Sequence, residues 1–380
     1  MGELRRMSEM PATSHWTAKD VERIDRATAP CAPVIPAQRR VIETLDLWDY
    51  WPVQTVDGHP ADIAGGTLFI ALSAPILPDP DARHAVARMR LLHRVEGEWC
   101  DLGQVLPDGF SPGSREWSGS AILSPDGETI TLYYTVAGVR GEVETSFAQR
   151  LFFTCAALTV QDGAIALSPW SEPVEFLEPD DVHYSRDMAG GGAVGTIKAF
   201  RDPAFFRDPA DNQDYILFAG SIARSRSAWN GAVGIARHVA DQEWEILPPL
   251  AEADGLNNEL ERPHVIMRDG RYYLFWSTQT KVFAADGPAG PTGLYGMVAD
   301  RLLGPWRPLN GSGLVFGNPP SAPFQAYSWL VLPDLCVQSF ADLVGLAELP
   351  RDVMQARAHF GGTPAPELRL MIDGDKAWLA

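Results

Sequence analysis

Four short segments set carboxylates beside aromatic or basic side chains. Trp48-Asp49-Tyr50-Trp51-Pro52 places an aspartate among aromatics. Such an acid can be a nucleophile in a sugar-sized, partly dry pocket, or a turn aspartate beside core tryptophans. Phe200-Arg201-Asp202-Pro203 reads either as a structural ion pair before a proline or as an aspartate that grips two substrate hydroxyls. In Glu259-Leu260-Glu261-Arg262-Pro263-His264 the alternation of a strand would turn Glu259 and Glu261 to one face. Mutual repulsion there raises the pKa of one, and a carboxyl protonated near neutral pH is what a general acid requires. The competing reading, a solvated acidic strand end, is disfavoured by the apolar run after Arg262. Glu116-Trp117-Ser118-Gly119-Ser120 lacks the Gly-x-Ser-x-Gly elbow, so Ser118 reads as a hydrogen-bonding group rather than a nucleophile.

Three acids from separate segments, with aromatic walls and adjacent arginines, make a glycosidase-like set. Carboxylates stabilise an oxocarbenium transition state electrostatically, and retaining glycosidases hold nucleophile and acid/base roughly 5–5.5 Å apart.

A repeat supplies the elements that would bring these acids together. Asp57-Gly58, Asp126-Gly127, Asp211-Asn212 and Asp269-Gly270 are turn dipeptides that tolerate positive φ. Each precedes a β-prone run: Thr67–Ser73, Thr129–Thr135, Tyr215–Gly220 and Arg271–Ser277. Further strand pairs end near Trp99, Trp244 and Trp306. A period of roughly sixty residues predicts about five blades, hence an all-β, five-bladed β-propeller with a central active-site pocket. Asp49, Ser118 and Glu261 each lie eight positions before their turn dipeptide, and Asp202 lies nine before. One polar residue is therefore expected at the same place on four inner strands, where it would ring the axis. The predicted division is an N-terminal extension over 1–40 and a single catalytic propeller over 41–380. Short helices are expected near Thr17–Ala27 and Leu335–Leu346.

Composition narrows the partners. A net charge of −18, from 31 basic and 49 acidic residues, argues against nucleic acid, whose phosphates attract basic surface. No segment has the length and apolarity of a membrane span. Arg5 and Arg6 are followed by no apolar stretch, which is unlike a standard secretory leader. Cys31, Cys100, Cys155 and Cys336 have no metal-ligand or redox spacing and are expected as buried thiols.

The same segments, in order, resemble glycoside hydrolase family 68, the levansucrases, inulosucrases and related β-fructofuranosidases. The resemblance is carried by WDYWP, EWSGSA and FRDP, then ELERPHV and YYLFWST, then GPTGLYGMV, QAYSWLVLP and FGGTPAPELRL, and covers nearly the whole chain. It implies that Asp49 attacks C2 of the fructosyl unit of sucrose, Glu261 acts as general acid/base and Asp202 stabilises the transition state. Trp48, Trp117, Ser118 and Arg201 would shape the fructosyl pocket, and Glu259, Arg262, Gln279, Gln325 and Tyr327 the glucose or acceptor side. Fructose would pass to water, to sucrose or to a fructan or oligosaccharide acceptor, with no cofactor. Two departures stand out. Gln279 takes the place where levansucrases carry Arg or His, which favours short products or hydrolysis. Asn258 replaces the acidic residue of the calcium-binding members, so no metal is expected. The resemblance implies action outside the cell without a standard leader, with the cytoplasm as the alternative. The rivals are a β-fructofuranosidase that mainly hydrolyses, another propeller glycosidase acting on arabinosides, a sugar-binding propeller with a decayed site, and a non-catalytic interaction propeller. The last two would not need Asp49, Asp202 and Glu261 at matching places.

Overall fold

The computed structural model describes residues 10–187 and 197–380. Arg5 and Arg6, and the leader expectation that rests on them, lie outside the described residues. Among the described residues no helix is long and apolar enough to cross a membrane.

The fold is all-β, built from antiparallel meanders. A nine-stranded sheet joins two of them. Leu45–Gln54, Thr67–Pro75, Arg88–Val95 and Glu98–Gln104 follow one another in the first. Arg115–Leu123, Thr129–Ala137, Gln149–Gln161 and Val174–Leu177 follow in the second. Their first strands meet in parallel, Val53 opposite Ala121. Three five-stranded sheets open on Phe200–Asp208, Glu261–Arg268 and Ala326–Val331. The opening strands pack against the neighbouring meanders, and apolar side chains from all strands of the meanders form the main buried clusters.

The turn dipeptides do what their chemistry allows. Asp269 and Gly270, at φ 50° and 75°, form a two-residue loop between the paired Arg268 and Arg271. All four expected β runs fall within strands: Thr67–Pro75, Thr129–Ala137, Gln213–Ser221 and Arg271–Thr278.

Two helix expectations change. Only Ala18–Val21 is helical in the first, opened by Thr17, whose N–H and hydroxyl both donate to Asp20 at 2.9 and 2.7 Å. Leu335–Leu346 instead contains the strand Cys336–Leu343, buried continuously from Val337 to Ala341. Strands pair along both of its edges and its consecutive residues are buried on both faces, so its apolar residues need no helical spacing. A helix occurs at Val353–His359, where Asp352 accepts from the Gln355 N–H. The cysteines also differ from expectation. All four are free, Cys31 and Cys100 exposed and Cys155 and Cys336 half-buried. Cys100 sits on Glu98–Gln104, the outermost strand of its meander, where one face meets solvent.

Residues 10–32 run along the third and fourth meanders. Ser14–His15 adds a parallel strand beside Ala251 and Glu252. Trp16 is buried against Trp276, Phe283 and Tyr295 at 5.0–5.6 Å between ring centres, and its indole N–H donates to the Ser312 carbonyl.

Candidate active site

A flat strand sends successive side chains to opposite faces. Each of the five opening strands breaks that rule at one point, where the pairing register shifts. Asp49 is extra between the paired Trp48 and Tyr50, and Ser118 between Trp117 and Gly119. Asp202-Pro203, Arg262-Pro263 and Ser328-Trp329 each stand opposite a single residue. These are β-bulges, which re-aim a side chain by leaving a residue out of the ladder. Proline suits them because it brings no N–H to the ladder. Asp202, Arg262 and Ser328 take φ of 62°, 49° and 62°, a left-handed conformation that costs about 1–3 kcal/mol at a non-glycine residue.

The bulges turn two consecutive side chains per strand into one cavity of about 400 Å³. Trp48 and Asp49, Trp117 and Ser118, Arg201 and Asp202, Glu261 and Arg262, and Tyr327 and Ser328 all line it. Gly119 is required beside the second bulge, since a Cβ there would lie 1.9 Å from the Tyr133 carbonyl oxygen.

This arrangement corrects the expected equivalence. Asp49, Ser118 and Asp202 correspond to Arg262, whereas Glu261 corresponds to Trp48, Trp117 and Arg201. Counting back from the turn dipeptides assumes equal loops. The loop is two residues between Arg268 and Arg271, but longer between the paired Leu123 and Ile130.

Hydrogen bonds fix the cluster. The Ser118 hydroxyl donates to Asp49 Oδ2 at 2.5 Å. Thr135 accepts from the Asp202 N–H and donates to the Ser118 carbonyl, both at 2.9 Å, tying the second strand set to the third. The Arg262 N–H donates to Asp202 Oδ2 at 3.2 Å. Arg262 Nη1 donates to the Ser328 hydroxyl at 2.9 Å and Nη2 to the Tyr50 carbonyl at 3.0 Å, so one guanidinium spans three meanders. Behind it, His264 Nε2 accepts from the Val331 N–H at 2.8 Å while Nδ1 faces the Arg262 carbonyl at 2.9 Å. Burial lowers its pKa to about 4, consistent with a neutral ring donating from Nδ1.

Arg201 is the electrostatic hub. Nη2 pairs with Glu261 at 2.6 Å and approaches Glu259 at 3.8 Å, and Nε approaches Asp202 at 3.6 Å. Burial opposes its charge, but Glu261, Glu259 and Asp202 outweigh burial and hold its pKa above the usual arginine value. The Tyr327 hydroxyl makes a short hydrogen bond to the other oxygen of Glu261. Burial pushes Asp202 up to about 7, with Arg201 resisting and Glu261 and Asp49 adding to the rise. Glu259 is raised to about 7, by burial first and then by Glu261. It lies just outside the strand, held by its N–H donating to Asn257 at 2.8 Å.

Gln279 lines the cavity as expected. Gln325 does not. It is fully buried, and its amide accepts from the Ile35 N–H at 2.8 Å and donates to the Pro33 carbonyl at 2.7 Å. Both ends of the side chain anchor the N-terminal segment, leaving nothing for a sugar. Asn258 accepts from the Lys198 ammonium at 2.9 Å.

Sequence reading missed the turn Pro80–Ala85, which brings Asp81, Arg83 and His84 to the cavity, along with Phe147, Lys281 and Asp342. Arg83 stacks its guanidinium over Trp48 at 5.5 Å and over Phe360 at 4.5 Å. The His84 ring stands edge-on to Trp48 at 6.0 Å, and its carbonyl accepts from the Trp117 indole N–H at 3.3 Å. A basic pair inside the proline- and aspartate-rich loop PDPDARHA was the available signal.

The family described as Levansucrase/Invertase, glycoside hydrolase family 68, matches residues 7–231 and 225–379. Levansucrase LscC of Pseudomonas savastanoi pv. glycinea is 33% identical over 96% of this chain and 90% of its own. An extracellular sucrase of Zymomonas mobilis is 29% identical over 96% of this chain and 92% of its own. The structure of an inulosucrase from Halalkalicoccus jeotgali bound to kestose superposes with a TM-score of 0.89 and 37% identity, covering 97% of this chain and 95% of that one.

Proposed function

Because the chain belongs to glycoside hydrolase family 68, we propose that its five bulged strands are the inner strands of a five-bladed propeller and that their side chains cleave sucrose by double displacement. The enzyme is a fructosyltransferase that acts on sucrose, as the levansucrase and inulosucrase relatives are by name. The observation that carries the mechanistic reading is that Asp49, Asp202 and Glu261 open onto one cavity, with Ser118 on the first, Arg262 on the second, and Arg201 and Tyr327 on the third.

Asp49 attacks C2 of the fructosyl unit while Glu261 gives its proton to the departing glucosyl oxygen. The C2–O bond to glucose breaks and a fructosyl ester forms on Asp49. Asp202 lies against the cationic ring of the transition state and accepts from its hydroxyls. Glu261, now a carboxylate, takes the proton of water or of a sugar hydroxyl as that oxygen attacks C2 and the ester bond breaks. Trp48 and Trp117 wall the fructosyl side, with Arg201 and Ser118 fixing the carboxylates. Glu259, Arg262, Gln279 and Tyr327 belong to the leaving-group and acceptor side. Gln279, a neutral amide where a cation would hold a longer acceptor, favours short products or hydrolysis.

Residues 41–380 form the catalytic unit in this reading and 1–40 an extension that packs on it, supported by the burial of Trp16 and the tether from Gln325. Sucrose and fructan or oligosaccharide acceptors are the partners. The name of the Zymomonas relative favours action outside the cell.

The test is incubation with concentrated sucrose, following glucose, fructose and oligomers by chromatography. Glucose in excess of fructose, with fructosylated products, is the expected result. Equal amounts identify a hydrolase on the same scaffold, and no glucose removes sucrose as substrate.

A further inference from the structure

Among the described residues, Asp342 is the cavity carboxylate whose side chain has no hydrogen-bond or ion-pair partner. It follows Phe340 at the end of Cys336–Leu343, and both residues line the cavity. The backbone there is fixed, with the Asp342 N–H donating to the Gln325 carbonyl at 2.9 Å. Among the described residues its carboxylate has no hydrogen-bond donor and no ion pair. The other carboxylates of the cavity cluster differ. Asp49 has the Ser118 hydroxyl, Asp202 the Arg262 N–H, Glu261 has Arg201 and Tyr327, and Glu259 has Arg201. Elsewhere, buried Asp46 is held by Arg40 and Arg357, and Asp208 by Tyr272.

A half-buried carboxylate without a donor is costly unless something polar meets it. Arg83 and Lys281 act on it attractively, and Asp81 and Asp49 repulsively. Burial is the largest influence and lifts its pKa to about 6. Asp342 lies two residues beyond Phe340, the strand partner of the acceptor-side Tyr327, and shares the cavity wall with Gln279 and the exposed Lys281. An anion that accepts only and faces a neutral sugar is matched by hydroxyl donors, and a carboxylate's two oxygens suit a vicinal diol.

Resting on the fructosyl-transfer reading, we propose that Asp342 binds hydroxyls of the sugar on the acceptor side of the cavity and thereby sets how often the fructosyl-enzyme passes its load to sugar rather than to water. Water needs no such contact. An acceptor sugar held by Asp342 presents its hydroxyl near Glu261 for longer, so the residue favours transfer without entering the chemistry.

The experiment compares Asp342→Asn and Asp342→Ala with the unaltered protein over a range of sucrose concentrations, reading glucose release, free fructose and thermal midpoint. The expected result is a roughly tenfold fall in the transfer-to-hydrolysis ratio at high sucrose, read as the ratio of products so that any accompanying fall in total glucose release does not enter it, as loss of a charged hydrogen bond to the acceptor sugar predicts. Asparagine, which retains one acceptor oxygen, should fall less than alanine. An unmoved ratio overturns the proposal, whether glucose release holds or drops. A lower midpoint with equal losses in transfer and hydrolysis also overturns it, in favour of a structural role. If the unaltered protein releases no glucose, the fructosyl-transfer reading fails and this inference with it. Glucose release with an unmoved ratio sinks the Asp342 proposal alone.

Discussion

The Ser118 hydroxyl reaches one oxygen of Asp49 at 2.5 Å, each residue being the extra one in the bulge of its own strand. A charge-assisted bond of this kind orients a carboxylate and leaves its second oxygen free to attack. Under the proposed roles, Ser118→Ala should slow glucose release roughly ten- to hundredfold, since it removes one positioned donor. Asp49→Ala should remove it by more than about a thousandfold, with an unchanged circular dichroism melt. A fully active Asp49→Ala protein would end the double-displacement reading.

Glu261 makes two contacts that only a carboxylate geometry serves, with Arg201 and with Tyr327. Glu261→Gln should cost about 10²–10⁴ on sucrose, whose leaving glucose needs a proton. The loss should be much smaller on an aryl fructoside whose leaving group departs as an anion. Equal losses on the two substrates would assign Glu261 a role other than proton donor.

Asp202 carries a pH signature in stability. Burial raises its folded-state pKa from an ordinary carboxyl value to about 7. For an acid raised on folding, the stabilising contribution is present below the unfolded pKa and is lost as pH rises through the folded one. Ionised Asp202 should therefore weigh against the fold above about pH 7. Asp202→Asn should raise the denaturant-derived stability by ~1–2 kcal/mol at pH 8, with the gain shrinking below pH 5. The same variant should lose nearly all glucose release, the usual exchange of stability for a charged site. A stability difference that grows toward acid pH would contradict the assigned cause.

Gln279 lines the cavity as a neutral amide, on the acceptor side under the proposed roles. If it limits chain growth, Gln279→Arg should shift products toward longer oligomers and raise the transfer-to-hydrolysis ratio severalfold, as one added charged donor can. Chromatography of products at matched sucrose conversion reads this directly. An unchanged size distribution would move the control of product length elsewhere on the cavity wall.

The sequence already contained the turn chemistry and the runs of strand residues, because both are local. Asp269-Gly270 adopts paired positive φ whatever surrounds it, and Arg271–Thr278 is strand by composition. The acids that line the cavity stand out in the sequence because aromatic and basic neighbours mark them. The bulges were not legible. Whether Glu261 or Arg262 matches Asp49 depends on loop size and on which residue leaves the ladder, and both are properties of the paired strand. Cys336–Leu343 was misread because burial on both faces erases the alternation that separates strand from helix. Gln325 looked like a site residue because its segment is, yet its partners at Pro33 and Ile35 lie almost a whole chain away. Arg83, His84 and Asp342 escaped notice because the fold alone brings the turn Pro80–Ala85 and the end of the strand Cys336–Leu343 to the cavity.

The bulges also bear on how such a protein can change over generations. A residue outside the ladder has no cross-strand partner to offend, so a new side chain at Asp49 or Ser118, neither of which takes a left-handed φ, alters the cavity while the pleat around it keeps its register. Inheritance can thus edit reactivity and scaffold separately. A lineage can try new substrates at these two sockets while the surrounding strands stay under a different, slower selection.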